Sequence, residues 1–164
     1  MSTNEQQVPK ANMGKDNIEI LIVDDEPCIC SALDRILSIE GYHVRTALDG
    51  ETALKLCREK SPDVLLLDLM MPGMDGREVC HRVRESEAAT RIIYFTAKAD
   101  SADPPGLKQL RNEADALITK PCSVKTLLSK LQSVLKRTQQ VNKTLNIKPG
   151  AVNNRAAALA QPGD

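Results

Sequence analysis

Val64-Leu65-Leu66-Leu67-Asp68 leads straight into Leu69-Met70-Met71-Pro72-Gly73-Met74-Asp75-Gly76. An unbroken apolar run without alternation is the pattern of a strand buried on both faces, as in parallel sheets covered by helices. Asp68 ends that run, so its carboxylate belongs at the C-terminal edge of the strand, where open α/β sheets bind ligands. Pro72-Gly73 and Asp75-Gly76 then turn the chain into a helix.

Three other apolar runs end in a polar residue. Asp24 and Asp25 follow Ile18-Glu19-Ile20-Leu21-Ile22-Val23, Thr96 follows Ile92-Ile93-Tyr94-Phe95, and Lys120 follows Ala116-Leu117-Ile118-Thr119. The segments between them have helical spacing. The first carries Ile29, Leu33, Ile36, Leu37 and Ile39 after Pro27 and stops at Gly41; the second carries Ala53, Leu54, Leu56 and Cys57. A short alternating strand over residues 42–47 lies between these two helices. Val79, Cys80 and Val83 mark a third helix over residues 76–85. Breakers in Asp103-Pro104-Pro105-Gly106 confine a fourth helix to about residues 107–112, and Leu127, Leu128, Leu131, Val134 and Leu135 mark a fifth. Strand and helix thus alternate five times. Right-handed crossovers make this a doubly wound five-stranded parallel sheet of flavodoxin-like order 2-1-3-4-5, with helices on both faces. The length is too short for an eight-fold barrel, and the acidic first turn, without GxGxxG, does not suit a dinucleotide.

With 164 residues, 41% of them apolar, the chain fits one domain with spare length for tails. We expect a flexible leader over residues 1–17, a domain over 18–138 and a flexible tail over 139–164 in which Lys143, Lys148 and Arg155 face only Asp164. That tail is a linker, a docking segment or plain disorder. Zero net charge gives no sign of a general nucleic-acid or membrane-surface binder, and three aromatic residues leave little for base stacking. Five cysteines without a CxxC pair read as reduced thiols, and neither a signal peptide nor a membrane-spanning run is present, so a cytoplasmic location is expected.

Asp24, Asp25 and Asp68 at one edge supply hard oxygen ligands whose mutual repulsion calls for a divalent ion, and Mg²⁺ suits such a set. Lys120 can pair with Asp68 and later with a phosphoryl oxygen. Thr96 can donate its hydroxyl to another.

These residues carry a resemblance. Val23-Asp24-Asp25-Glu26-Pro27, the stretch from Asp68 to Gly76, Phe95-Thr96-Ala97-Lys98 and Thr119-Lys120-Pro121 together resemble the receiver domain of bacterial two-component response regulators, over about residues 18–138. The resemblance implies that Asp68 accepts a phosphoryl group from a histidine kinase or phosphotransfer protein. It implies Mg²⁺ held by Asp25, Asp68 and the Met70 carbonyl, with Asp24 acting through water. Thr96 would be the switch hydroxyl, Lys120 the phosphoryl-sensing cation, and Lys120-Pro121 a cis peptide.

The expected output is a surface switched for a downstream protein, with no direct nucleic-acid binding. A homodimer through the fourth helix, fifth strand and fifth helix is a further possibility. A receiver cut from a longer regulator with a DNA-binding or enzymatic output is the alternative to a stand-alone form. An enzyme of the aspartyl-phosphate phosphohydrolase class would need a second Asp two residues after the nucleophile. Met70 stands there, so at most slow self-dephosphorylation is expected, slowed further by Met70 and Lys98 flanking the path of water. Leu117 replaces the family's switch aromatic, Cys122 a frequent Phe and Glu113 a frequent Gly. We therefore expect signalling through residues 96–98 and 100–106.

Overall fold

The computed structural model describes residues 17–86, 89–97 and 112–144. Its centre is β3 (Val64–Leu67), every residue of which is buried. It pairs with β1 (Glu19–Val23) on one side and with β4 (Arg91–Thr96) on the other; β2 (His43–Ala47) and β5 (Ala116–Thr119) are the edges. All pairs are parallel and the order is β2-β1-β3-β4-β5, as the alternating pattern predicts.

Alternation along the central strands divides the core between two faces. Leu21, Leu65, Leu67, Ile92 and Tyr94 meet Ala53, Leu54 and Cys57 of α2 (Gly50–Glu59), and Val79, Cys80 and Val83 of α3 (Gly76–Ser86). Ile20, Ile22, Leu66, Ile93 and Phe95 meet Cys30, Leu33 and Leu37 of α1 (Pro27–Ile39), and Leu127, Leu131 and Val134 of α4 (Val124–Thr144). Truncating any of these buried leucines to Ala would cost about 2–5 kcal/mol.

Helix ends follow their sequence signals. Asp49 caps α2 by accepting from the Thr52 N–H at 2.7 Å. Gly41, at φ 89°, closes α1: its N–H donates to the Ser38 carbonyl and that of Tyr42 to the Leu37 carbonyl.

Two details differ from expectation. Ile39, assigned to the apolar stripe of α1, is 76% exposed because at about 3.6 residues per turn it points away from the face that buries Cys30, Leu33 and Leu37. The last helix, the fifth by sequence and α4 here, does not stop near Gln139 but runs to Thr144. Of the expected fourth helix only Asn112 falls within the described residues, in a helical turn with Glu113; Lys98 and residues 100–106 lie outside them.

Candidate functional site

Parallel strands in register deliver their last residues to one edge. β1 ends at Val23 beside Leu67 of β3, so Asp24 and Asp68 emerge side by side, and the Asp68 N–H donates to the Val23 carbonyl at 2.9 Å. Asp24 and Asp68 are buried and Asp25 is half-exposed. One carboxylate oxygen from each of the three lies within 4.8 Å of the others.

Lys120, two strands away, is brought over them from the end of β5. Its ammonium donates to Asp24 Oδ2 at 2.5 Å and Asp68 Oδ2 at 2.8 Å, and sits 5.2 Å from the centroid of the Phe95 ring. Burial opposes its charge, but the two carboxylates outweigh that and hold its pKa above the ordinary lysine value. The Lys120–Pro121 peptide is cis. Thr96, fully buried at the end of β4 and in register with Thr119, reaches the same edge; its carbonyl accepts from the Lys120 N–H at 3.0 Å.

The remaining carboxylate oxygens are oriented by backbone. Asp24 Oδ1 accepts from the Glu26 N–H at 3.0 Å, and Asp68 Oδ1 from the Met70 N–H at 3.1 Å. Asp25 has no hydrogen-bond or ion-pair partner among the described residues. Three carboxylates thus gather where one ammonium pairs with two of them, and the excess negative charge calls for a further cation. Hard oxygens at this spacing fit a divalent ion that takes a few carboxylates and keeps part of its water.

Two supporting residues carry no chemical signal in the sequence. Gly76 opens α3 directly against the Asp68 backbone: a Cβ there would stand 2.1 Å from the Asp68 carbonyl oxygen. The Asp75-Gly76 pair reads as a turn in sequence, whereas its glycine is required by this close approach. Beneath the site, the Cys30 thiol lies 3.4 Å from the Asp24 carbonyl; burial and the nearby Asp24 carboxylate push its pKa up to about 11, so it stays a protonated thiol.

The chain belongs to the response regulator receiver domain family, whose model matches residues 20–132. A probable transcriptional regulator of Guillardia theta, ycf27, is 43% identical over 122 residues, 74% of this chain and 47% of that protein. The alkaline phosphatase synthesis transcriptional regulatory protein PhoP of Bacillus subtilis is 38% identical over 123 residues, 75% of this chain and 50% of the relative. The chain therefore spans about half the length of these curated relatives. Among solved structures, the response regulator protein TrrA of Thermotoga maritima, in complex with Mg²⁺ and BeF, shares 33% identity and a TM-score of 0.64, covering 71% of this chain and 98% of that one. The fold and family are thus those of a two-component receiver domain, as the sequence motifs imply. Among the described residues, no helix is long and apolar enough to cross a membrane.

Proposed function

We propose that this receiver domain accepts a phosphoryl group on Asp68 from a histidine kinase or phosphotransfer protein. The observation that carries the reading is the charge balance at the sheet edge, with one ammonium divided between Asp24 and Asp68 and Asp25 left without a partner. Mg²⁺ would be held by Asp25, Asp68 and the Met70 carbonyl, with Asp24 reached through water; when bound, it would neutralise phosphoryl oxygens.

An Asp68 carboxylate oxygen forms the new bond to phosphorus, and the bond from phosphorus to the donor nitrogen breaks. The electron pair leaves with the donor, which takes up a proton. Lys120 then exchanges a carboxylate for a phosphoryl oxygen, and the Thr96 hydroxyl takes a second. No residue two positions after Asp68 can act as a general acid, so the phosphoryl group stays on the protein and is lost by slow hydrolysis. The product is a changed surface for a downstream protein in the cytoplasm.

The relatives' names favour a second reading of the output. Proteins named as transcriptional regulators, of which the matched region fills only about half, fit a receiver that governs DNA binding by another domain.

The test uses the full chain, a small phosphodonor such as phosphoramidate, and intact-mass spectrometry. Wild type gains one phosphoryl group with Mg²⁺ and none with a chelator; Asp68→Asn gains none. Equal labelling of Asp68→Asn and wild type would overturn the assignment.

A further inference from the structure

The zero net charge averages two unlike parts. Residues 116–163 carry eight Lys and Arg and no Asp or Glu, and the preceding part is correspondingly acidic. α4 lies within the basic stretch and carries five of those cations. It buries Leu127, Leu131 and Val134 against the sheet and leaves Lys125, Lys130 and Lys136 exposed. Thr126, Ser129, Gln132 and Ser133 are exposed with them. None of the three lysines pairs with a carboxylate among the described residues. Helical geometry places Lys125 and Lys136 within about 20° of each other around the axis and about 16 Å apart along it, with Lys130 about 140° away. The lysines therefore bracket a strip of hydroxyl and amide side chains.

We propose that this face of α4 binds the phosphate backbone of duplex nucleic acid without reading its sequence. Phosphates are contacted by Lys and Arg and by Ser, Thr, Asn and Gln, which is the inventory of the strip. A protein partner would need apolar or aromatic anchors, and Lys is depleted in such interfaces. The helix offers one exposed large apolar side chain in its described part, Val124 at its first position. A bilayer surface needs an apolar face to insert, and that face of α4 is already buried on the sheet. Residues 116–163 contain no Phe, Tyr or Trp, so stacking on single strands is not available and the attraction is to the charged backbone. If the three lysines neutralise about three phosphates, affinity falls about 40-fold between roughly 50 and 200 mM salt.

The experiment measures fluorescence anisotropy of a labelled duplex of arbitrary sequence against the full chain and against Lys125→Glu/Lys130→Glu/Lys136→Glu, with a Lys→Gln triple as a milder second variant. Phosphatidylserine vesicles and polyglutamate are parallel arms. Wild type binds the duplex at low salt with the steep salt dependence above, and does so whatever the sequence. Both triples lose at least ten-fold in affinity while still accepting phosphate on Asp68, which separates this proposal from the phosphoryl chemistry. Absence of duplex binding by wild type at low salt, undiminished binding by the triples, or tighter binding of vesicles or polyglutamate would each overturn it.

Discussion

The two ends of the sheet handle buried carboxylates in opposite ways. At the N-terminal edge two carboxylates have two cations each: Glu19 is gripped by Arg45 and Lys60, and Asp115 by Arg84 at 2.6 Å and Arg91 at 3.0 Å. Asp115 also accepts the Ile92 N–H at 2.9 Å. At the C-terminal edge three carboxylates gather, and Lys120 pairs with only two of them, Asp24 and Asp68. The first arrangement is electrostatically complete and has no capacity for a ligand. The second is short of positive charge and is held in that state by the surrounding fold, as expected of a site that binds a cation and an anion in turn.

Substituting one acid at each end is the sharpest way to break the comparison. Asp25→Ala removes a proposed metal ligand and one source of repulsion. It should cut Mg²⁺-dependent phosphoryl acceptance by at least about a hundred-fold, measured as initial rate by mass spectrometry, while leaving metal-free stability unchanged or higher. Asp115→Ala should do the reverse: acceptance stays at the wild-type rate, and denaturant unfolding shows a loss of about 2–3 kcal/mol because two arginines and a backbone N–H lose their acceptor. Burial would raise the Asp115 pKa, but the Ile92 N–H, Arg84 and Arg91 outweigh it and hold the pKa below the usual carboxylate value. A depressed folded pKa means its contribution is fully present above the unfolded pKa, about 4, and is lost as pH falls through the folded value. The difference between wild type and Asp115→Ala should therefore be constant near neutrality and shrink below about pH 4. If Asp25→Ala proved the less stable and Asp115→Ala the less reactive, the contrast between the two edges would not hold.

What was legible in the sequence divides along similar lines. β3 and Asp68 could be read because a doubly buried strand needs an unbroken apolar run, and a carboxylate ending it can only face the edge. The gathering of Asp24, Asp25, Asp68 and Lys120 followed from strand order. Ion pairs made by long-range packing left no such trace. Glu113 replaces a frequent glycine, and its reason appears only in space, where Arg77 donates to it at 2.5 and 3.2 Å from a helix on the other side of β4. The two cations on Glu19 were equally hidden, since a charged residue in an apolar run gives no hint of its partners. Gly76 could be read as a turn but not as the residue touching Asp68. Net charge hid the basic stretch from Ala116 onward because an average over the chain carries no positional information.

Among the described residues Lys120 is the cation paired with Asp24 and Asp68, so removing it should sharpen the imbalance. Lys120→Ala leaves Asp24 and Asp68 without compensation. Loss of a unit charge about 5 Å from a divalent ion is worth about 1.7 kcal/mol even at the dielectric of water, so Mg²⁺ binding should tighten by at least about ten-fold, read by isothermal titration calorimetry. The metal-free variant should melt below wild type, and Mg²⁺ should narrow that gap. Because the folded Lys120 pKa is raised, the stability it contributes is complete below the unfolded lysine pKa, about 10.4, and is lost as pH rises through the folded value. Unchanged or weaker Mg²⁺ affinity would show that Lys120 is not the charge limiting the site.

The smallest expected effect concerns how long the site keeps its phosphoryl group. Met70 is 56% exposed at the mouth of the site, and its N–H is already committed to Asp68 Oδ1. Its thioether is a weak acceptor and cannot hold a water in line with the Asp68–phosphorus bond, whereas an amide at the same position can both donate and accept. Met70→Asn should therefore shorten the phosphoryl lifetime by a few-fold, since orienting one water recovers only part of what general base catalysis provides. Acceptance should stay near the wild-type rate, because residue 70 reaches Asp68 through its backbone N–H and would serve the proposed metal through its carbonyl. Decay followed by intact mass after removal of the phosphodonor gives the lifetime directly. A decay rate equal to wild type would place the limit on hydrolysis elsewhere in the site, and a parallel drop in acceptance would mean that the side chain, and not the path of water, had been disturbed.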